Sequence, residues 1–134
     1  QIAESALHAY AFIMSHQASP VQALSSLPHG PEFRFIDEVT DLTPGVEGRG
    51  RWRLKGGEEF LLGHFPGQPI LPGVIMVEAL AQLAGVVVQS GREVPLRDMR
   101  LTAVRQFKIL GTLRPGQSML VHAKVDGAMG GLIQ

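Results

Sequence analysis

The run GVIMVEALAQLAGVVVQ, from Gly73 to Gln89, is apolar on nearly every side of a helical wheel. A helix lying on a sheet usually keeps a polar outer face, so this one has to be enclosed. Its apolar stretch, Val74 to Val88, falls short of the ~20 residues that a membrane span needs, and Glu78 and Gln82 interrupt it. The expectation is a buried helix in a soluble fold, with no membrane span.

The segments around this helix read as strands. FRFIDEVTDL (Phe33 to Leu42) is rich in aromatic and β-branched residues and runs into the turn signal TPG. VEGRGRWRL alternates: Val46, Gly48, Gly50, Trp52 and Leu54 share one face, and Glu47, Arg49, Arg51 and Arg53 the other. The two make a hairpin. After the helix, Leu101, Ala103, Phe107 and Ile109 alternate in LTAVRQFKI, and Met119, Val121, Ala123 and Val125 in MLVHAKV, with RPG as a turn between them. Strands, one enclosed helix, then strands again predict an α+β fold in which an antiparallel sheet wraps around one long central helix.

Upstream, residues 1 to 19 form a mostly apolar helical segment ending at Ser-Pro. It lacks the basic start of a signal peptide and carries Glu4 and His8. A shorter helix follows, with Val21, Leu24 and Leu27 three apart, closed by LPHG. Residues 1–26 are thus expected to be an N-terminal helical extension and residues 27–134 the main domain. At 134 residues and 45% hydrophobic content the chain holds one core. A formal net charge of zero supplies no global field for nucleic acid or an anionic surface. The absence of cysteine removes disulfides and thiolate chemistry and fits a cytoplasmic protein. No cofactor motif, phosphate loop or metal-ligand spacing stands out, so no cofactor and no metal are expected.

Glu78 and Gln82, four apart, lie one above the other on a helix and form its only interior polar stripe. Burying an unpaired carboxylate costs several kcal/mol, so such a glutamate is either paired or kept as the neutral acid. A neutral acid is a proton donor, whereas pairing with an arginine across a subunit interface would make it structural. His64 sits in GHFPG, where glycine and proline fix the backbone and aim the side chain. Pro72 and Gly73 then open the helix, whose free N–H groups and positive dipole end favour an anion. Histidine, helix N-terminus and carboxyl group supply a base, an oxyanion hole and an acid. His8, His16, His29 and His122 read as structural or surface residues.

The stretch GHFPGQPILPGVIMVEALAQLAG closely resembles the signature of the (3R)-3-hydroxyacyl-acyl-carrier-protein dehydratases of the FabZ type, which are hot-dog fold enzymes of fatty acid synthesis. LPHGPEFRFIDEVTDLTPG and AVRQFKILGTLRPGQ extend the resemblance over most of Leu27 to Val125. It implies a homodimer or higher even oligomer with active sites at the interface. His64 would remove the C2 proton of a 3-hydroxyacyl thioester carried on acyl carrier protein. Glu78 of the other subunit would protonate the departing C3 hydroxyl. The Gly73 N–H would bind the thioester carbonyl, Gln82 would support the carboxyl group, and Phe65 and Pro72 would complete the substrate-binding set. Glutamate rather than aspartate at position 78 favours the branch that only dehydrates.

Two further readings stand beside this one: a hot-dog acyl thioesterase, and a non-catalytic subunit that binds acyl carriers. Arg97, Arg100, Arg105, Lys108 and Arg114 could form a rim for an acidic carrier protein, or merely a solvated strand face. The family usually continues through a further strand beyond AKVDGAMGGLIQ, which closes the sheet beside the helix. That strand is expected to be missing here, whether clipped, disordered or replaced by another element over the exposed edge. Residues 1 to 19 have no counterpart in compact members; they could be a remnant of a longer polypeptide, a docking arm or a helix packed on the sheet.

Overall fold

The computed structural model describes residues 19–134. The helical expectation for residues 1 to 19 therefore falls, except at Ser19, outside the described residues, as do His8 and His16. The first helix, α1 (Pro20–Leu24), starts with a capping box in which Ser19 and Gln22 each accept from the other's backbone N–H. It buries Ala23 and, just beyond its end, Leu27, while Val21 is 83% exposed. The expected Val21–Leu24–Leu27 stripe is thus rotated toward Ala23. With only five residues the helix is oriented by what it packs on rather than by its own periodicity.

A 3-10 turn (Pro31–Phe33) leads through extended chain into β1 (Glu38–Thr43), and a turn over Thr43 to Val46 returns the chain as β2 (Glu47–Arg53). The strand expected from Phe33 begins only at Glu38 because residues 33–35 give their backbone groups to a side chain: Gln82 bonds both the Phe33 carbonyl and the Phe35 N–H. A short helix, α2 (Glu59–His64), precedes the long helix α3 (Gly73–Ser90), and β3 (Ser118–Lys124) follows it. The chain finishes in a small hairpin, β4 (Ala128–Met129) and β5 (Leu132–Ile133). The main sheet is antiparallel throughout, in the order β1-β2-β3. Its surface carries the cross-strand pairs Arg51–Glu38 and His122–Glu47, which are exposed and of little energetic weight.

The alternation read from β2 holds from Gly48 to Leu54, whereas Val46, expected on the same face, precedes the strand and is 48% exposed. Gly48, Gly50 and Trp52 are buried and the charged residues between them are not. β3 behaves likewise, with Val121 buried and Met119 and Ala123 half-buried on the same face. The glycines of β2 are what let α3 sit close: a Cβ on Gly48 would come within 2.8 Å of Val87 Cγ2. Leu83, Val86 and Val87 of α3 are fully buried there, and Phe35 and Trp52 meet edge to face with centroids 5.4 Å apart. By length and composition α3 could cross a membrane. Its apolar residues are instead used against the sheet, where seven of its side chains are buried.

Two expectations are corrected. Leu101 to Ile109 forms no strand among the described residues, and Leu101, Val104, Phe107 and Ile109 are all exposed. An alternating segment becomes a strand only when a neighbour takes its hydrogen bonds; residues 107–111 share a pocket wall with Met119 to Val121 of β3, but no described ladder joins the two. Nor is α3 enclosed all round: Val74 is 74% exposed and Glu78, Ala81 and Gly85 are half-buried. One side of the helix is covered by the sheet, and the other opens toward a cavity.

Candidate active site

The polar stripe of α3 is anchored at Gln82, whose side chain is only 2% exposed. Its Oε1 accepts from the Phe35 N–H at 2.9 Å. That bond fixes the orientation of the amide, so Nε2 is the donor on the other side, to the Phe33 carbonyl at 2.8 Å and to Glu78 Oε1 at 2.9 Å. One turn up, Glu78 is half-buried, its side chain 26% exposed, rather than sealed in an apolar sheath. Within its own chain Glu78 pairs with no arginine among the described residues. The second contact to Glu78 Oε1 is instead His29 Nε2, at 3.3 Å.

His29 was read from the sequence as structural or surface, and its contact with Glu78 is what that reading missed. It stands in the LPHG turn, where its carbonyl accepts from Arg34 Nε at 2.8 Å and its ring lies 6.1 Å from that of Phe33. The one clue available beforehand was its position directly ahead of the segment that meets α3.

His29, Glu78 and Gln82 line a cavity of about 680 Å³ that continues along α3 past Gly85 to Met99 and Leu101. This is the size of site that encloses a small organic ligand. Its far wall is held by Gln89, whose amide both donates to the Leu96 carbonyl at 2.8 Å and accepts from the Leu96 N–H at 2.9 Å. Asp98, with φ of 56°, then turns the chain along the cavity.

His64 is positioned separately. Glu58, ahead of α2, accepts from the N–H groups of Lys55 and Gly56 at 2.8 and 2.7 Å. Burial pushes its carboxyl up, but these bonds outweigh it and hold the group below the usual carboxylate value. At the other end of α2, His64 Nδ1 meets the Ile70 carbonyl at 3.3 Å, and its ring lies 4.4 Å from that of Phe65. Between them Phe65 to Gln68 form a turn closed by the Gln68 N–H, with Pro66 and then Gly67 at φ of 78°. His64 and Phe65 are exposed, and neither lines the cavity that holds Glu78. The structure thus brings Glu78 and Gln82 together but leaves His64 apart from them within one chain.

Pro72 is buried and precedes the first residue of α3, Gly73. No side chain caps this end of the helix; the Ile75 N–H returns to the Pro72 carbonyl at 3.0 Å, and the Gly73 N–H has no partner among the described residues. A Cβ on Gly73 would run into Ile109 Cδ1. At ~1.5 Å rise per residue, Gly73 lies roughly 7.5 Å along the axis from Glu78.

Comparison with known proteins is decisive for the family. The model of the FabA-like domain matches residues 27–130. The chain belongs to the FabA-like family. Among its FabA-like relatives, the 3-hydroxyacyl-[acyl-carrier-protein] dehydratase FabZ of Nitratidesulfovibrio vulgaris is 34% identical over 106 residues, covering 78% of this chain and 69% of the relative. The FabZ of Herpetosiphon aurantiacus is 31% identical over 77% of this chain and 73% of its own length, and that of Rickettsia bellii 33% over 78% and 73%. The FabA-like assignment accounts for the α+β hot-dog architecture, an antiparallel sheet laid around one long helix.

Proposed function

We propose that the protein dehydrates (3R)-3-hydroxyacyl thioesters, carried on acyl carrier protein, to the trans-2-enoyl thioesters; its relatives are named 3-hydroxyacyl-[acyl-carrier-protein] dehydratases. The observation that carries this reading is the carboxyl group of Glu78, held by Gln82 at the wall of a ligand-sized cavity, on the same helix whose uncapped N-terminus begins at Gly73. An elimination needs a base at C2, a donor to the carbonyl oxygen that gains charge, and an acid at the C3 hydroxyl.

In this reading His64 takes the C2 proton and the Gly73 N–H receives the developing enolate oxygen. Glu78 gives its proton to the C3 hydroxyl, which leaves as water, and the electron pair freed at C2 becomes the new double bond. Phe65 and Pro72 border the thioester. Since His64 stands apart from the cavity of its own chain, the site is completed by a second copy, and the working unit is a homodimer or a higher even oligomer. Arg97, Arg100, Arg105, Lys108 and Arg114 are exposed and form no ion pair among the described residues. They suit docking of an acidic carrier protein. Residues 27–134 form the catalytic domain in this reading and residues 1–26 an extension to it. A cytoplasmic location accompanies it, supported by the absence of cysteine.

The test is hydration of a crotonyl thioester on a carrier protein, the reverse reaction, followed at the enoyl absorbance band with free thiol measured in parallel. Loss of the band without thiol release supports the reading, and thiol release would establish a thioesterase instead. Glu78→Gln and His64→Ala should each lower kcat by about 10²-fold or more. A wild-type rate in either variant would remove that residue from the mechanism.

A further inference from the structure

α3 contains a glycine that the packing around it does not ask for. Gly85 stands inside the helix, well ahead of its last residue, Ser90, and its φ is not positive, so neither a cap nor a turn uses it. A helix interior favours alanine over glycine. A Cβ on Gly48 would come within 2.8 Å of Val87 Cγ2, and one on Gly91 within 2.5 Å of the Gly45 Cα, whereas a Cβ on Gly85 would meet no atom of the described residues within 4 Å. The open space is the cavity, which Gly85 lines between Gln82, about a turn before it, and Gln89, about a turn after. We infer that Gly85 is a specificity-determining residue, which keeps the passage from Glu78 to the far wall at Gln89 open so that the cavity takes the tail of a long acyl chain.

Beyond Glu78 and Gln82 the wall turns apolar, with Ala84, Val88, Leu96 and Leu101. The amide of Gln89 is already used on both backbone groups of Leu96, and the charged residues that border the cavity at this end, Asp98, Arg100 and Lys124, are all exposed. What such an interior accepts is hydrocarbon. Along the helix axis Gly85 lies roughly 10.5 Å from Glu78, and Gln89 roughly 16.5 Å. An extended chain advances about 1.2 Å per bond, as a polypeptide does when its three backbone bonds per residue span ~3.3–3.6 Å. With C3 held at Glu78, about nine further carbons therefore reach Gly85 and about fourteen reach Gln89. A crotonyl group stops far short of Gly85, while a tetradecenoyl chain has to pass it.

This inference rests on the dehydratase reading for the identity of the substrate, and a binding measurement separates the two. In the hydration assay on carrier-protein thioesters, Gly85→Leu should lower the ratio of kcat/KM for the trans-2-tetradecenoyl thioester to that for the crotonyl thioester by about 10-fold or more. An unchanged ratio, whether both rates hold or both fall together, would overturn the assignment. Gly85→Ala puts a methyl group into open space and removes a glycine from a helix interior, so the melting temperature should rise by about 2–4 °C. A lowered melting temperature, or a Gly85→Leu chain that loses its oligomeric state, would give the position to packing or to a subunit contact and count against it. Without turnover, a saturated tetradecanoyl thioester on carrier protein should raise the melting temperature of the wild type more than that of Gly85→Leu, and equal shifts also overturn the assignment. The expected difference in a wild type that hydrates no crotonyl thioester would mean that the cavity takes acyl chains past Gly85 and that the dehydratase reading fails.

Discussion

One amide, that of Gln82, satisfies a backbone N–H, a backbone carbonyl and a carboxyl oxygen inside the core. Gln82→Leu keeps roughly the same volume but strands the Phe35 N–H and the Phe33 carbonyl, and is expected to destabilise the fold by about 2–3 kcal/mol in urea titration. Glu58 carries a smaller, pH-dependent contribution. Its folded-state pKa lies below the ordinary value, so the stability it adds is present above the unfolded-state pKa and disappears as pH falls through the folded-state one. Because the group is only partly buried and stays in contact with solvent, the difference between wild type and Glu58→Gln should be only about a few tenths of a kcal/mol at neutral pH. Thermal melts should show it vanish in acid; a gap that widened instead would contradict the assignment. Glu78 and Gln82 were legible as a pair because a spacing of four on a helix is a local fact. His29 was not, because its meeting with Glu78 depends on how the LPHG turn is laid against a helix far along the chain.

Elements were legible in proportion to how much of their partner lay in the pattern itself. β2 and β3 carry their inward and outward residues at period two, and both were found on the expected faces. The glycines of β2 had a purpose the alternation could not state, which is room for α3. Gly48→Ala forces a methyl group against Val87 and Leu42 and should cost about 1–3 kcal/mol by overpacking. Gly73→Ala makes a useful contrast. There the clash is with the tip of Ile109, a half-exposed side chain that can move, so the melting temperature should stay within about 3 °C. If that helix end receives the thioester oxygen, as proposed, it is then crowded, and kcat/KM is expected to fall by about 10-fold or more. The start of β1 was misread because aromatic and β-branched residues mark an extended chain, and nothing in them says that Gln82 rather than a strand takes the hydrogen bonds.

For the whole molecule, a shared site makes a quantitative prediction. If His64 of one subunit works with Glu78 of another, mixing inactive His64→Ala and Glu78→Gln chains under subunit exchange yields mixed dimers with one intact site of two. Random pairing then restores about a quarter of wild-type activity. No recovery in a mixture shown to exchange would place both residues in one chain's site and overturn the shared arrangement. The same assembly bears on the segment that the sequence marks as a strand and the single chain leaves without one. Leu101, Val104, Phe107, Ile109 and Leu110, the last 94% exposed, lie along it. Covering that segment with a second copy would couple stability to concentration by mass action. Dilution would then act as a denaturant, with the melting temperature rising as the protein is concentrated and proteases cutting first within this segment in dilute solution. A cell's expression level would in that way help decide whether the enzyme it makes survives long enough to be used.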